Sequence, residues 1–204
     1  MQVDSDDVTG HLTTRDRILD VAQQLVQRRG FSSVAYRDIG TALGLRNASI
    51  HHHFPSKTDL GTALVQRYRT RIETLLTGLS ETEVSAVRRL RQYLIAHQDV
   101  IHEDGRICLC TQMIAEDCVL PPAIQQELAA FFTFSEQWLT RTLDEGRTRG
   151  ELHFENSPSA AAQTFLATTQ GAMLMARATR RPQRFQHVTQ RALMAFTAPV
   201  PRSL

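Results

Sequence analysis

Tyr36 to Lys57 reads YRDIGTALGLRNASIHHHFPSK, and the stretch divides at Gly44. Glycine accepts the left-handed backbone that ends a helix. One short helix is therefore expected from about Ala35 to Leu43, with Ile39, Ala42 and Leu43 facing inward, and a second from Asn47 to His53. Leu45 can plug the core beneath the turn, and the second helix then leaves at a steep angle. That arrangement is a helix-turn-helix, whose second helix lies in the DNA major groove.

The flanking sequence completes the unit. Thr13-Thr14-Arg15-Asp16 offers a capping side chain with an acid close behind, which starts a helix. Ile18, Leu19, Ala22, Leu25 and Val26 recur at helical spacing up to Gly30, with Phe31 and Val34 filling the seam to the next helix. Residues 1–12 are polar and read as a disordered arm, so the DNA-binding domain spans 13–56. After Phe54-Pro55, a connector helix is expected over 57–79 within a second domain over 57–204.

Everything beyond reads as helix. Val87, Leu90, Leu94 and Ile101 mark a fifth helix, and Ile107 to Cys118 a short apolar sixth. Pro121-Pro122 precedes a long seventh with Ile124, Leu128, Phe131, Ser135 and Trp138 on one stripe. Ser157-Pro158 opens an eighth, and Pro182 separates it from a ninth carrying Phe185, Val188, Leu193 and Phe196. The fold class is all-α.

Composition excludes several classes. A chain of 204 residues with 42% hydrophobic content can bury a sizeable core. No apolar run approaches the roughly 18 residues of a membrane span, and Asp4, Asp6 and Asp7 argue against a signal peptide, so a cytoplasmic protein without membrane contact is expected. Net charge is only +2, but the basic residues of 11–70 outnumber the acidic ones, which points to nucleic acid. Three cysteines make no disulfide framework. Consecutive His51, His52 and His53 point about 100° apart on a helix and cannot converge on one ion; Cys108 and Cys110 lie about 160° apart. No metal or cofactor is expected. His53 is expected to pack in the core and the cysteines to be small buried residues. No G-x-S-x-G, phosphate loop or H-E-x-x-H occurs, which weighs against an enzyme with a DNA-binding head.

The block from Thr14 to Tyr68, with RDIGTALGL and then ASIHHHFPSKTDL, resembles the TetR family of transcriptional regulators. The resemblance implies a homodimer reading two half-sites of a palindromic operator in double-stranded DNA, and a second domain that binds a small-molecule effector. Carried over by position, Arg37, Arg46, Asn47, Ser49, His51 and His52 would face DNA, and Lys57 would hold a phosphate. Arg pairs well with guanine and Asn with adenine, while Ser or His can donate to phosphate or base edges. A mostly apolar effector would meet Cys108, Gln112, Met113, Phe131, Phe134, Trp138, Phe165, Thr169 and Met173. Phe165, Leu166, Gly171, Ala172, Leu174, Leu193 and Phe196, on the last two helices, would form a four-helix dimer contact. The motif CLCTQMIAE is similar to a short helix in a branch of the family that includes regulators responding to electrophiles or oxidants through a cysteine at this place. There Cys108 would begin a helix beside Arg106, an environment that favours thiolate. A constitutive or architectural DNA-binding dimer is the alternative reading.

Two positions depart from the family pattern. Ala35 stands near a usual capping Ser or Thr, and His51 stands where a phosphate-gripping tyrosine is usual. A protonated imidazole donates to phosphate more strongly than a neutral one, so affinity for operator DNA is expected to fall as pH rises between roughly 6 and 8. Binding measured across that range for wild type and His51→Tyr tests this; identical pH profiles would refute it.

Overall fold

The computed structural model describes residues 13–102 and 105–197. The expected arm at 1–12 lies outside the described residues. The elements are α1 (Thr14–Arg29), α2 (Tyr36–Leu43), α3 (Asn47–His53), α4 (Lys57–Thr82), α5 (Ala86–His102), α6 (Leu109–Ile114), a 3-10 turn (Asp117–Val119), α7 (Pro122–Thr148), α8 (Pro158–Ala178) and α9 (Gln183–Thr197). Among the described residues there is no strand, and no helix is long and apolar enough to cross a membrane.

Local chemistry sets the helix ends. Thr13 Oγ1 accepts from the Asp16 N–H at 3.1 Å and starts α1. Ala35 has no hydroxyl to cap α2, yet the other half of the usual reciprocal pair is present: Asp38 Oδ2 accepts from the Ala35 N–H at 2.9 Å. Gly44 has φ 67°, and the Leu45 N–H returns to the Gly40 carbonyl, so the turn into α3 is the left-handed one expected. Ser56 and Asp59 cap each other's backbone at the start of α4, at 3.1 and 2.9 Å. Ser157 Oγ accepts from the Ala160 N–H at 3.2 Å and caps α8, with Pro158 in its first position.

α1, α2 and α3 close around Ile18, Leu19, Ile39 and Ile50, all fully buried. α4 leaves this head and runs between α1 and α7 into the second domain. It continues to Thr82, past the expected end at 79, because its last turn has partners. Trp138 Nε1 donates to the Leu76 carbonyl at 2.8 Å, and the buried Arg89 guanidinium donates to the carbonyls of Ser80 and Glu83 while pairing with Glu145 at 2.7 Å. The Arg89 donors satisfy carbonyls that a helix end leaves open, and Trp138 braces the turn before them. α7, α8 and α9 pack in sequence, with α5 against α7 and α9.

Three local expectations need correction. Ala42 is exposed on the outer face of α2, and Ile39 with Gly40 supplies that helix's buried side. The sixth helix ends at Ile114 rather than Cys118, because the chain turns at Ala115 and Glu116 and sends the Glu116 carboxylate to the head. Cys118 therefore sits in the 3-10 turn and is exposed, whereas Cys108 and Cys110 are buried.

Head and second domain meet where Gly61 of α4 faces Phe31 and Ile124. A Cβ at Gly61 would stand 2.4 Å from Ile124 Cδ1 and 2.7 Å from Phe31 Cζ. Overpacking of this kind typically costs about 1–3 kcal/mol. Gly61→Ala is expected to lower unfolding stability by that amount in urea titration, and an unchanged midpoint would show that the seam is loose.

Candidate DNA-reading face and ligand cavity

α3 is held from behind by Ile50, which leaves its other sides outward. Arg46, Asn47, His51 and His52 are exposed, Ser49 is half-buried, and Arg37 is exposed in the first turn of α2. These residues form one polar surface over a fixed apolar anchor. His53 is half-buried beside the His52 ring, at 5.4 Å between centroids, rather than packed in the core.

A shallow concavity opens beside α3, lined by Ser32, Ser33, Val34, Ala35, Tyr36, His51 and Lys57, with no carboxylate in its wall. The Tyr36 hydroxyl donates to the Phe54 carbonyl at 2.8 Å, and burial followed by the nearby Asp59 pushes its pKa up to about 12, so it stays a neutral donor. The His51 ring meets the Tyr36 ring edge-on at 4.6 Å and places Nδ1 3.4 Å from the Pro55 carbonyl. Lys57 Nζ donates to the Ser32 carbonyl at 3.0 Å and lies 4.9 Å from the Phe31 ring centre. Burial lowers its pKa and Glu116 partly restores it. Lys57 is thus fixed by the turn after α1 rather than free to swing. Among the described residues no group of three His, Cys, Asp or Glu side chains could hold a metal.

In the second domain a cavity of about 200 Å³ lies between α1, α4, α5, α7 and the start of α6. Tyr68, Tyr93, His97, Cys108, Phe131 and Ser135 line it, and Gln23 brings a residue of α1 from the head into its wall. Gln23 Oε1 is buried without a hydrogen-bond partner.

Of the expected pocket residues, Cys108 and Phe131 line this cavity, while the others lie outside its wall. Trp138 is turned away by its bonds to Leu76 and Ser80. Phe165 packs against Tyr93 and Phe196, and Thr169 bonds the Phe165 carbonyl at 2.8 Å. Met113 and Met173 are buried, the latter with Sδ accepting from the Cys108 N–H at 3.0 Å. Gln112 is bonded to Arg177, and Phe134 is a half-buried part of the core. The apolar faces of α7 and α8 largely cover each other; the space that Cys108 and Phe131 line falls between α4 and α5, and a separate, more open groove of about 470 Å³ lies between α5 and α9. Tyr93 and His97, one turn apart on α5, were the available signal: the His97 ring sits 4.4 Å from Tyr93, with Nδ1 2.8 Å from the Tyr93 carbonyl.

Cys108 caps α6 from inside this wall. The Tyr68 hydroxyl donates to its sulfur at 3.5 Å. Burial pushes the Cys108 thiol up, but hydrogen bonding with Cys110, the charge of His97, the Tyr68 hydroxyl and the Thr111 backbone N–H outweigh it and bring the thiol down to about 5. Burial and the neighbouring Cys108 push Cys110 in the opposite direction. The two cysteines therefore differ: the Cys108 thiol, in the cavity wall, is pulled toward thiolate, and the Cys110 thiol is pushed the other way.

The residues expected at a dimer contact divide. Phe165, Leu166, Ala172 and Leu193 are covered by the chain's own core, and Phe196 packs on Phe154 and Phe165. Gly171 is half-buried, and Leu174 is exposed at 37%. The outward apolar residues also include Met175, Val188 and Met194. α8 is apolar nearly all round, so its sequence did not distinguish the inner side from the outer.

Comparison with known proteins accounts for both domains. Residues 18–64 match the family described as bacterial regulatory proteins, tetR family, and residues 86–192 match the tetracyclin repressor-like C-terminal domain. The chain is similar to the transcriptional repressor DhaR of Mycobacterium sp. strain GP1, at 29% identity over 78% of this chain and 80% of that protein. It is also similar to the transcriptional repressor NemR of Escherichia coli K12, at 26% identity over 82% and 85% of the two chains. The crystal structure of a TetR-family transcriptional regulator from Agrobacterium tumefaciens superposes with a TM-score of 0.87 and 37% identity, over 90% of this chain and 97% of that one. The reduced form of E. coli NemR shares the fold, with a TM-score of 0.80 at 24% identity over 91% and 98%. A helix-turn-helix head matched over both its helices and a helical second domain matched over most of its length make this chain a member of the TetR family of DNA-binding transcriptional regulators.

Proposed function

We propose that the chain acts as a homodimeric repressor in the cytoplasm, released from a palindromic operator when a small effector occupies the cavity between α4 and α5. The observation that carries this reading is the presence of Gln23, a residue of the DNA-reading head, in the cavity wall. An occupant there touches both domains at once, so it can have different affinities for two head orientations, as release by a ligand requires. A constitutive binder that uses its second domain only to dimerise gives no reason for such a shared wall.

On the DNA side, Arg37, Arg46, Asn47, Ser49 and His52 are assigned to base edges and flanking phosphates. His51 and Lys57 are assigned to a phosphate seated in the concavity beside Tyr36. Lys57 serves there with its geometry set by Ser32, and His51 with its ring braced by Tyr36. The outward side of α8 and α9, with Gly171, Leu174, Met175, Val188 and Met194, is assigned to the two-fold contact, which matches the symmetry of a palindrome.

The effector is small, since drug-sized ligands occupy roughly 300–1,000 Å³ and this cavity holds about 200 Å³. A mostly apolar molecule fits the wall of Ile72, Leu76 and Phe131, with Tyr68, Ser135 and Gln23 as polar anchors. Cys108 supports a second mode on the same site. Its depressed pKa makes it a nucleophile toward an electrophile or oxidant, and the similar NemR has been crystallised in a form named as reduced.

Two measurements test the reading. Selection of bound duplexes from a random pool is expected to enrich a palindrome. Asn47→Ala is then expected to weaken binding to it by about 1–3 kcal/mol and to relax preference at one position in each half-site. Failure to enrich any sequence, or a variant that binds as wild type does, contradicts the assignment. For Cys108, a free thiol titrating near 8.5 alkylates faster by roughly tenfold or more as pH rises from about 6.5 to 8.5. Iodoacetamide labelling of Cys108, followed by mass spectrometry, is expected to stay nearly flat over that range, and Tyr68→Phe to shift the profile to higher pH. A steep wild-type profile would show an ordinary thiol.

A further inference from the structure

The second domain grips the C-terminal end of α1 with two opposite charges. α1 stops at Arg29, which leaves its last carbonyls and the N–H groups of the following turn without helical partners. Arg177, in the last turn of α8, donates to the carbonyls of Gln27 and Arg28 and to Gln112 Oε1. Glu116 takes the N–H groups: Oε1 accepts from Phe31 at 2.9 Å and Oε2 from Ser32 at 2.8 Å. A carboxylate receiving two successive backbone N–H groups makes strong, charge-assisted bonds of fixed direction. A Cβ at Gly30 would stand 2.2 Å from Glu116 Oε1, so the glycine that ends α1 also admits the carboxylate.

The peptide units that Glu116 holds lead directly to the DNA-reading face. Ser32 gives its N–H to Glu116 and its carbonyl to Lys57 Nζ at 3.0 Å. Ser32 and Lys57 in turn line the concavity that contains His51. On its other side Glu116 belongs to a segment that begins in the cavity wall. Cys108 starts α6, its N–H held by Met173 Sδ, and the carbonyl of the preceding Ile107 accepts from Gln27 Nε2 at 3.0 Å. α6 is a single stiff piece from Leu109 to Ile114, and Glu116 lies two residues past its end. Glu116 is thus joined to Cys108 through α6 and to Lys57 through Ser32.

The geometry points to Glu116 as the positioning residue that carries the state of the cavity to the DNA-reading face. This rests on the reading that cavity occupation and DNA release are linked. The same link makes the inference testable without an identified effector. Ala96→Leu from α5 and Ser135→Leu from α7 each add bulk to side chains of the cavity wall and stand in for an occupant. Each is combined with Glu116→Ala and with Glu116→Gln, and affinity is measured for the duplex selected from the random pool. Allosteric couplings span roughly 5- to 150-fold. With Glu116 in place, filling the cavity is expected to change affinity about tenfold or more; with Glu116→Ala the change falls below about threefold. Glu116→Gln, which keeps one acceptor oxygen, gives an intermediate change, an outcome that loss of folding alone does not produce. Amide exchange is expected to quicken at Phe31 and Ser32 in Glu116→Ala and to stay slow at Leu19 and Ala22, which reports an intact head. A filling effect that persists undiminished without Glu116 overturns the positioning role and leaves the cavity reading standing. No effect of either filling variant in the presence of Glu116 overturns both.

Discussion

The turn after α1 is the constraint on which the rest of the molecule depends. Phe31 is wedged against Gly61 of α4 and lies under the Lys57 ammonium, while its own N–H is held by Glu116. Three elements meet this turn within a few residues: α4 brings both packing at Gly61 and the Lys57 cation over the ring, α7 brings Ile124, and the segment after α6 brings a carboxylate. A head joined only by the α3–α4 link could rotate on α4. With this turn fixed, the head's orientation is a property of the whole chain.

That arrangement explains why the functional residues are distributed as they are. The reading face needs a rigid backing, and Ile50 and Ile39 supply it from the head's own core. The cavity touches the head through Gln23 of α1, whose neighbour Gln27 bonds the Ile107 carbonyl beside Cys108. α1 thus belongs to two interfaces at once, one packed against α2 and the other against α6. A shift of a few tenths of an ångström at the second cannot leave the first unaffected in a close-packed interior.

The head was legible in sequence because its determinants are local. Thr13, Gly44 and the Ser56–Asp59 pair act within four residues of themselves, and the spacing of Ile18, Leu19, Ala22 and Val26 names a buried face without reference to any other helix. The second domain was legible only as helices. Which faces pair depends on contacts between residues 60 or more apart, such as Trp138 with Leu76 and Glu116 with Ser32. Helices such as α8, apolar on nearly every side, give no periodic signal to distinguish core from surface. Phe165, expected both in the pocket and at the dimer contact, and Leu193, expected at that contact, are covered by the chain's own core, while Tyr68, Tyr93 and His97, which carry no such expectation, line the cavity. Glu116 closes the motif CLCTQMIAE, but its role is not legible there, since an acid after a short helix is ordinary until the partner N–H groups are known.

Cys108 shows how chemistry and mechanics come to share one residue. Its side chain lines the cavity beside Tyr68, its N–H anchors α6 to Met173, and hydrogen bonds with Cys110 and Tyr68 help to pull its thiol down. Adding a group to that sulfur would fill part of the cavity and also replace a charge by a neutral thioether. The first effect pushes on α5 and α7; the second weakens the bond that the Tyr68 hydroxyl donates to the sulfur. Both act at the start of the segment that ends in Glu116. A noncovalent occupant has only the first, so it must gain its differential affinity from contacts alone, and a shift from a largely bound to a largely released population asks for about 5.5 kcal/mol of such difference. A covalent adduct does not dissociate at equilibrium and so does not depend on ligand concentration to hold the released state. Under the effector role proposed for this cavity, the geometry at Cys108 favours small reactive molecules over bulky tight binders as its occupants.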